Sequence, residues 1–304
     1  MKFLLISDIH LRDSNPRNRC DDFRETQFDK FNWCLELAKK ENCIVLQAGD
    51  LFDSVRSSNK LISDTISTIK QYNLDFFTVS GNHDQRHRNR DLTNTPIEVV
   101  QASQAIKLLD DTPVVYDNVH IYGAHWGDEI PQIQYKKAFA ILVIHKMVIQ
   151  NEEDKIWHGQ QNYSTARMLL AKNDYDLILS ADNHKTFADE YKGKTLLNLG
   201  SMTRLTSAQI NHESQVAIFD TDKNEYIIYK IPIKPAAEVF NLEQIEKNKE
   251  TGEINDKIRE YVDLLGGNSE MREWDFVKNL DDYITLNSIR QEVQDIIKLT
   301  LEVE

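Results

Sequence analysis

Five short segments of the chain are dense in side chains that bind cations or move protons. They are Asp8 and His10 in SDIH, Asp50 and Asp53 in AGDLFD, Asn82, His83 and Asp84 in SGNHD, His145 in VIHK, and Asp182 and His184 in SADNHK. Carboxylate and amide oxygens mixed with imidazole nitrogens suit manganese, iron or zinc better than a calcium site built from oxygen alone. A carboxylate can also bridge two cations, and two ions about 3.5–4 Å apart can hold both the attacking and the leaving oxygen of a phosphoryl displacement. Taken singly the segments say little. D-x-H can be a turn, GDxxD an acidic loop, and a lone His145 a satisfied core residue. GNHD, which stacks Gly, Asn, His and Asp directly after a strand, is more specific.

Each segment follows an apolar run of strand length, at residues 2–7, 43–48, 76–80, 140–144 and 177–180. Between the first three runs, residues 23–40 and 60–72 carry apolar side chains at helical spacing, among them Phe28, Phe31 and Leu35, then Leu61, Ile62, Ile66 and Ile69. Alternating strands and helices predict a parallel sheet with crossover helices. Loops at the carboxyl ends of such strands converge on one crevice, so the five clusters are expected to meet in space. Further strands are expected at 114–116, 120–123 and 195–198, a helix at 165–172, and a terminal hairpin at 216–220 and 225–231. The fold class is therefore α/β, with mixed sheets flanked by helices. Pro232 and Pro235 mark a break, which places a domain boundary near 235. Beyond it, helical periodicity at 254–265 and 286–301 describes a small helical C-terminal appendage over 236–304.

The chain of 304 residues has a net charge of −13, which taken alone opposes non-specific nucleic-acid binding. The charge is uneven. Residues 236–304 hold 17 acidic and 8 basic residues, whereas residues 1–235 hold 32 acidic and 28 basic. Several acids of the first part are placed as cation ligands, so that part is close to neutral and the acidity belongs to the appendage. Three cysteines without CxxC spacing argue against a disulfide framework or a thiolate zinc site and point to a reducing cytoplasm. No apolar run approaches the roughly 20 residues that span a bilayer. Asp8 and His10 interrupt the apolar start, which reads as a buried strand rather than a signal peptide.

All five segments, in this order and each at a strand end, resemble the signature of the calcineurin-like metallophosphoesterase superfamily. Within it the chain looks most like the SbcD-type DNA-repair nuclease subunits and their phage counterparts. The likeness spans residues 1–235, and NLGSMTR at 198–204 resembles the glycine–serine turn after the last metal ligand of those nucleases. The resemblance implies a two-sheet sandwich and two divalent ions, manganese first, with iron, zinc or magnesium as other candidates. It implies that Asp8, His10 and His184 hold one ion, that Asn82, His145 and Asp182 hold the other, and that Asp50 bridges both. It makes His83 the catalytic histidine, with Asp84 orienting its ring, and a metal-bridged hydroxide the nucleophile. One position departs from the family pattern. Where GHxH is usual, this chain has Ala181, Asp182, Asn183 and His184. A carboxylate coordinates manganese well, and Asp182 is read as a working ligand.

Two arginine-rich loops follow the first and third clusters. Guanidinium forks bind phosphate bidentately, so Arg12, Arg17, Arg86 and Arg88 are candidate substrate contacts, together with Arg204 of the glycine–serine turn. The alternative for such loops is local salt bridging. His125 is expected either to line the site or to pack beside Trp126. The resemblance makes DNA the expected substrate, in the cytoplasm of a bacterium or phage-infected cell, with repair or phage recombination as the setting. It also implies a homodimer and docking of the C-terminal segment on an SMC-like ATPase. No membrane partner is expected. Two other functions stay open on the residues alone: a phosphoesterase for small nucleotides or phosphomonoesters, and a catalytically weak structural subunit.

Overall fold

The computed structural model describes residues 1–86, 90–133, 138–154 and 163–246. Arg88, the helices expected at 254–265 and 286–301, and nearly all of the acidic appendage lie outside the described residues. The chain divides into two units, Met1–Ile245 and Glu246–Glu304.

The first unit opens with β1 (Lys2–Ile6), α1 (Phe23–Lys40), β2 (Ile44–Gln47), α2 (Asn59–Tyr72), β3 (Phe76–Thr78), α3 (Pro96–Ala102) and β4 (Lys107–Leu108). Then come β5 (Val114–Tyr116), β6 (Val119–Ala124), β7 (Phe139–His145), β8 (Val148–Ile149), β9 (Ser164–Thr165), α4 (Ala166–Lys172), β10 (Leu177–Ala181), β11 (Thr186–Tyr191) and β12 (Lys194–Leu199). The hairpin β13 (Gln215–Asp220) and β14 (Glu225–Lys230) and the short α5 (Ala236–Val239) close the unit. One six-stranded sheet has the order β14-β13-β1-β2-β3-β4, and a second has the order β11-β12-β10-β7-β6-β5. β1, β2, β3 and β4 run parallel, while β13 pairs antiparallel with β1. β6, β7, β10 and β12 are likewise parallel. This is the mixed two-sheet α/β sandwich expected from the sequence.

Strand alternation sorts side chains into layers. Phe3 and Leu5 of β1 face inward with Leu46, Phe77, Ile141, Val143, Leu179 and Phe219, forming the core between the sheets. Leu4 and Ile6 face the other way, against Phe31 and Leu35 of α1, Leu61 of α2 and Ile97 of α3. On the far side of the second sheet, Leu142 and Ile178 pack on Ala166, Leu169 and Leu170 of α4. Each such side chain, fully buried, contributes roughly 1.5–3 kcal/mol relative to exposure. Helices α1 and α2 begin at side-chain caps: Asp22 accepts from Glu25 N at 3.0 Å, and Ser58 Oγ accepts from Leu61 N at 3.1 Å. Six elements, α3, α5, β4, β8, β9 and β11, have no counterpart in the sequence reading; four of them are only two to four residues long. The β-branched Ile97, Val99 and Val100 weaken the helical signal of α3, and β11 is a half-exposed edge strand whose residues FADEY lack an apolar run. Among the described residues no helix is long and apolar enough to cross a membrane.

Candidate metal centre

A buried polar network joins the carboxyl ends of the two sheets. Ser7 Oγ, at the end of β1, donates to Ser180 O of β10 at 2.8 Å and accepts from Leu199 N at 3.0 Å. Gln47 Nε2, at the end of β2, donates to Ser7 O at 2.9 Å. The strand-end loops are thereby pinned against one another, and several are held in costly backbone geometry. His10, Asp50 and Asp182 lie at φ 53°, 53° and 75°. Left-handed conformations at non-glycine residues cost of order 1–3 kcal/mol and concentrate at functional sites. Gly49 (φ +93°) allows a close approach: a Cβ there would fall 2.5 Å from His145 Nδ1.

The structure brings all seven ligand candidates together. Three overlapping groups, Asp8–His10–His184, His10–Asp50–His83 and Asp8–Asp50–His145, each place one donor atom per residue within 4.8 Å of the others. His10 Nε2 and His184 Nε2 are 3.0 Å apart, with Asp8 Oδ1 3.9 and 4.0 Å from them. Asp50 Oδ2 lies between the two halves, 3.5 Å from His10 Nε2 and 3.4 Å from His145 Nε2. Asn82 Oδ1 is 3.1 Å and Asp182 Oδ1 3.9 Å from that same His145 nitrogen. His145 Nδ1 lies 2.7 Å from Ala48 O, to which it donates, so Nε2 is left facing the crevice as a ligand atom. The residues fit divalent cations. Asp8 Oδ2 is buried without a hydrogen-bond partner, and the donors are the carboxylate, amide and imidazole atoms that such ions take.

Electrostatics tell the same story. Burial opposes the imidazolium at His10, but Asp50, Asp53 and Asp8 outweigh it and raise its pKa to about 9. At His145, burial is likewise overridden by Asp50, Asp8 and Asp182, raising its pKa to about 10. Burial and the neighbouring His10 cation push His184 down to about 3. Burial raises Asp8 and Asp182, whereas Asp50 is lowered despite burial because His145, His10 and His83 surround it. Without cations, protons on His10 and His145 balance the carboxylates; bound cations would take that place.

Asp84 requires a correction. It does not orient His83. It is buried, and its carboxylate accepts from Leu51 N (3.2 Å), Phe52 N (3.0 Å) and Gly81 N (3.0 Å), stapling the second loop to the third. The His83 ring is held instead by Asp53 O, which accepts from Nδ1 at 2.8 Å, while His83 N donates to Asp50 Oδ1 at 2.9 Å. The ring is exposed at the rim, edge-on to His10 with centroids 4.9 Å apart. Asp53 had no role in the sequence reading. Its carboxylate lies 3.4 Å from His10 Nδ1 and 3.2 Å from Arg12 Nη1, and the second Asp of GDxxD was the available signal.

The arginines divide. Arg12 borders the centre through Asp53, and Arg17 is exposed. Arg86 donates to Asn94 O at 3.0 Å. Arg204 requires a second correction. It is buried, and it donates from Nη1 to Ile210 O (3.1 Å) and from Nη2 to Lys234 O (2.6 Å), so it does not present a fork to the crevice. His125 does line the site. It shares a cleft of about 420 Å³ with Trp126, His145, Lys146, Tyr163 and Asp182. Ser80 N donates to its Nδ1 at 2.7 Å, which places the proton of the neutral ring on Nε2.

The calcineurin-like phosphoesterase family model matches residues 1–186, a span that contains all seven ligand candidates. No curated protein matches the chain. Solved structures similar to it include TT1561 of Thermus thermophilus, at 10% identity and a TM-score of 0.50, covering 76% of this chain and 99% of that one. A novel archaeal phosphodiesterase aligns at 16% identity and a TM-score of 0.42, over 76% of this chain and 99% of that one. Zinc-complexed wild-type Vps29 from Entamoeba histolytica aligns at 15% identity and a TM-score of 0.39, over 76% and 91%. The first of these shows a common fold.

Proposed function

The chain belongs to the calcineurin-like phosphoesterase family, and from that premise we propose that it is a two-metal phosphodiesterase that cleaves DNA. The observation that carries this reading is the convergence of Asp8, His10, Asp50, Asn82, His145, Asp182 and His184 on one crevice with His83 at its rim. Asp8, His10 and His184 would hold one ion, Asn82, His145 and Asp182 the other, and Asp50 both. The carboxylate at Asp182 favours manganese over a softer ion. Such ions supply Lewis-acid charge and an activated water.

The remaining work falls to the chain's own groups. Asp84 fixes the loops that carry Asp50 and Asn82. His83, tethered through Nδ1 to Asp53 O, keeps Nε2 for the leaving oxygen, to which it delivers a proton. The cleft beside His145 offers the indole of Trp126, the Nε2–H of His125 and the Lys146 ammonium, a combination suited to a base and its flanking phosphate. That lining, the exposed Arg17 and the likeness of the motifs to SbcD-type nucleases favour DNA over a small monoester. In the same reading the acidic segment 236–304 docks an SMC-like ATPase and the nuclease pairs with a second copy.

The test uses purified full-length protein with manganese or with EDTA. Labelled single- and double-stranded DNA, bis-p-nitrophenyl phosphate and p-nitrophenyl phosphate serve as substrates, with Asp50→Ala in parallel. Manganese-dependent cleavage of DNA and of the diester, absent in Asp50→Ala, is expected. Hydrolysis of the monoester alone would move the assignment to a phosphomonoesterase. Equal inactivity of both proteins on every substrate would leave a structural subunit.

A further inference from the structure

Away from the crevice, cationic side chains from separate elements converge on a second cavity of about 350 Å³. Arg19 comes from the loop before α1, Lys30 from α1, Arg204 from the loop after β12 and Lys234 from the segment after β14. Arg19 is balanced, because its Nε and Nη2 donate to the two oxygens of Asp21 at 2.8 and 2.5 Å. Lys30 and Arg204 are not. Lys30 Nζ donates only to the neutral oxygens Met202 O and Ser214 Oγ, each at 3.1 Å. Arg204 meets two backbone carbonyls, and its Nε is buried without a partner. The two residues are 7% and 3% exposed, and among the described residues neither has a carboxylate at ion-pair distance.

Asp21 is already paired with Arg19, so buried cations whose own hydrogen bonds go only to dipoles leave an excess of positive potential that an anion can neutralise. The mutual repulsion is visible: burial first, then Arg204 and Arg19, bring Lys30 down to about 7. The rest of the lining is of a different kind. Trp33, Pro232, Ile233 and Val239 supply apolar walls, with Thr26 and Asp29 also present. No lining residue is a candidate metal ligand. The cavity is separated from the crevice by the turn at 200–204, in which Met202 N donates to Asp8 O at 2.7 Å while Met202 O accepts from Lys30.

We propose that this cavity binds a small organic anion, its phosphate or carboxylate head drawn by the Lys30 and Arg204 cations and its flat apolar body against Trp33. The site is independent of the metal centre and needs no metal. The test uses the full chain in EDTA, so that the crevice cannot hold a probe through a cation. AMP and benzoate are titrated by calorimetry, and their effect on Tm is read in parallel. Saturable binding of at least one probe is expected, with a rise in Tm, and the probe that binds identifies the head group. Lys30→Met keeps most of the length of the side chain and removes a buried cation without an ion pair, so it is expected to fold. It should weaken binding about tenfold or more, the equivalent of one lost charge-assisted hydrogen bond. Trp33→Leu, at a half-buried position, should weaken it through the apolar wall. Failure of both probes to saturate, or binding undiminished in both variants, overturns the proposal.

Discussion

Gly81→Ala perturbs a contact on which the placement of Asp50 depends. A Cβ at position 81 would lie 2.0 Å from Asp50 Oδ1, 2.5 Å from Asp50 N and 2.6 Å from Asp50 Cγ, where real Cβ contacts essentially never fall below 3.0 Å. The Asp50 carboxylate must therefore retreat by about 1 Å, and the Asp50 backbone must give way by about 0.5 Å as well. Gly81 is not among the residues with positive φ, so alanine suits its backbone and the effect comes from the contact alone. A shift of that size breaks the placement of Asp50 Oδ2 at 3.5 Å from His10 and 3.4 Å from His145, and loosens the bond from His83 N to Oδ1. Overpacking of this kind costs about 1–3 kcal/mol, and each kcal/mol lowers Tm by roughly 2–4 °C in a domain of this size. Activity should fall further, about a hundredfold, because a 1 Å misplacement of a catalytic group has that effect. Bis-p-nitrophenyl phosphate hydrolysis with manganese, together with metal content by mass spectrometry, measures both consequences. Gly193→Ala is the control. It strains a left-handed turn between β11 and β12 (φ +78°) but meets no atom within 4 Å. Gly81→Ala protein with wild-type activity and metal content would refute the placement of Asp50 at the heart of the centre.

Other outcomes follow from single interactions. Asp84→Ala leaves the Leu51, Phe52 and Gly81 amides without an acceptor, at about 1–3 kcal/mol for each unsatisfied group, and should lower the urea midpoint and metal content together; a fall in kcat with stability intact would restore its assignment to the His83 ring. His83→Ala should reduce kcat by about 10²–10⁴ with metal content unchanged, and loss of metal would reassign it as a ligand. Lys30 titrates near 7 in the folded protein against 10.5 for the free side chain, so the unfolded chain binds more protons across that interval. Stability should therefore rise from pH 7 upward, by at most about 1.4 kcal/mol per pH unit from this group, and the slope should flatten in Lys30→Met. Urea midpoints at pH 7, 8 and 9 decide it, with identical slopes in both proteins counting against a Lys30 pKa lowered by burial.

The sequence by itself determined most of the helices and strands and which strand ends carry chemistry. An apolar run followed by Asp, Asn or His marks a strand end, and α/β order makes such ends neighbours, so Asp8, Asp50, Asn82, His145 and Asp182 could be placed together from spacing alone. Helix α1 was legible to the residue, because eighteen positions show their period plainly. What spacing does not encode is the direction in which a side chain turns once its neighbours arrive. Asp84 faces three backbone amides rather than the adjacent histidine ring because Leu51 and Phe52, more than thirty residues earlier in the chain, present their N–H groups to it. Arg204, near the last ligand in sequence, is drawn instead to the carbonyls of Ile210 and Lys234. The pairing of His10 with His184 across 174 residues, and the meeting of Lys30 with Arg204, exist only once two sheets and a helix have packed, since each needs partners that no local segment contains.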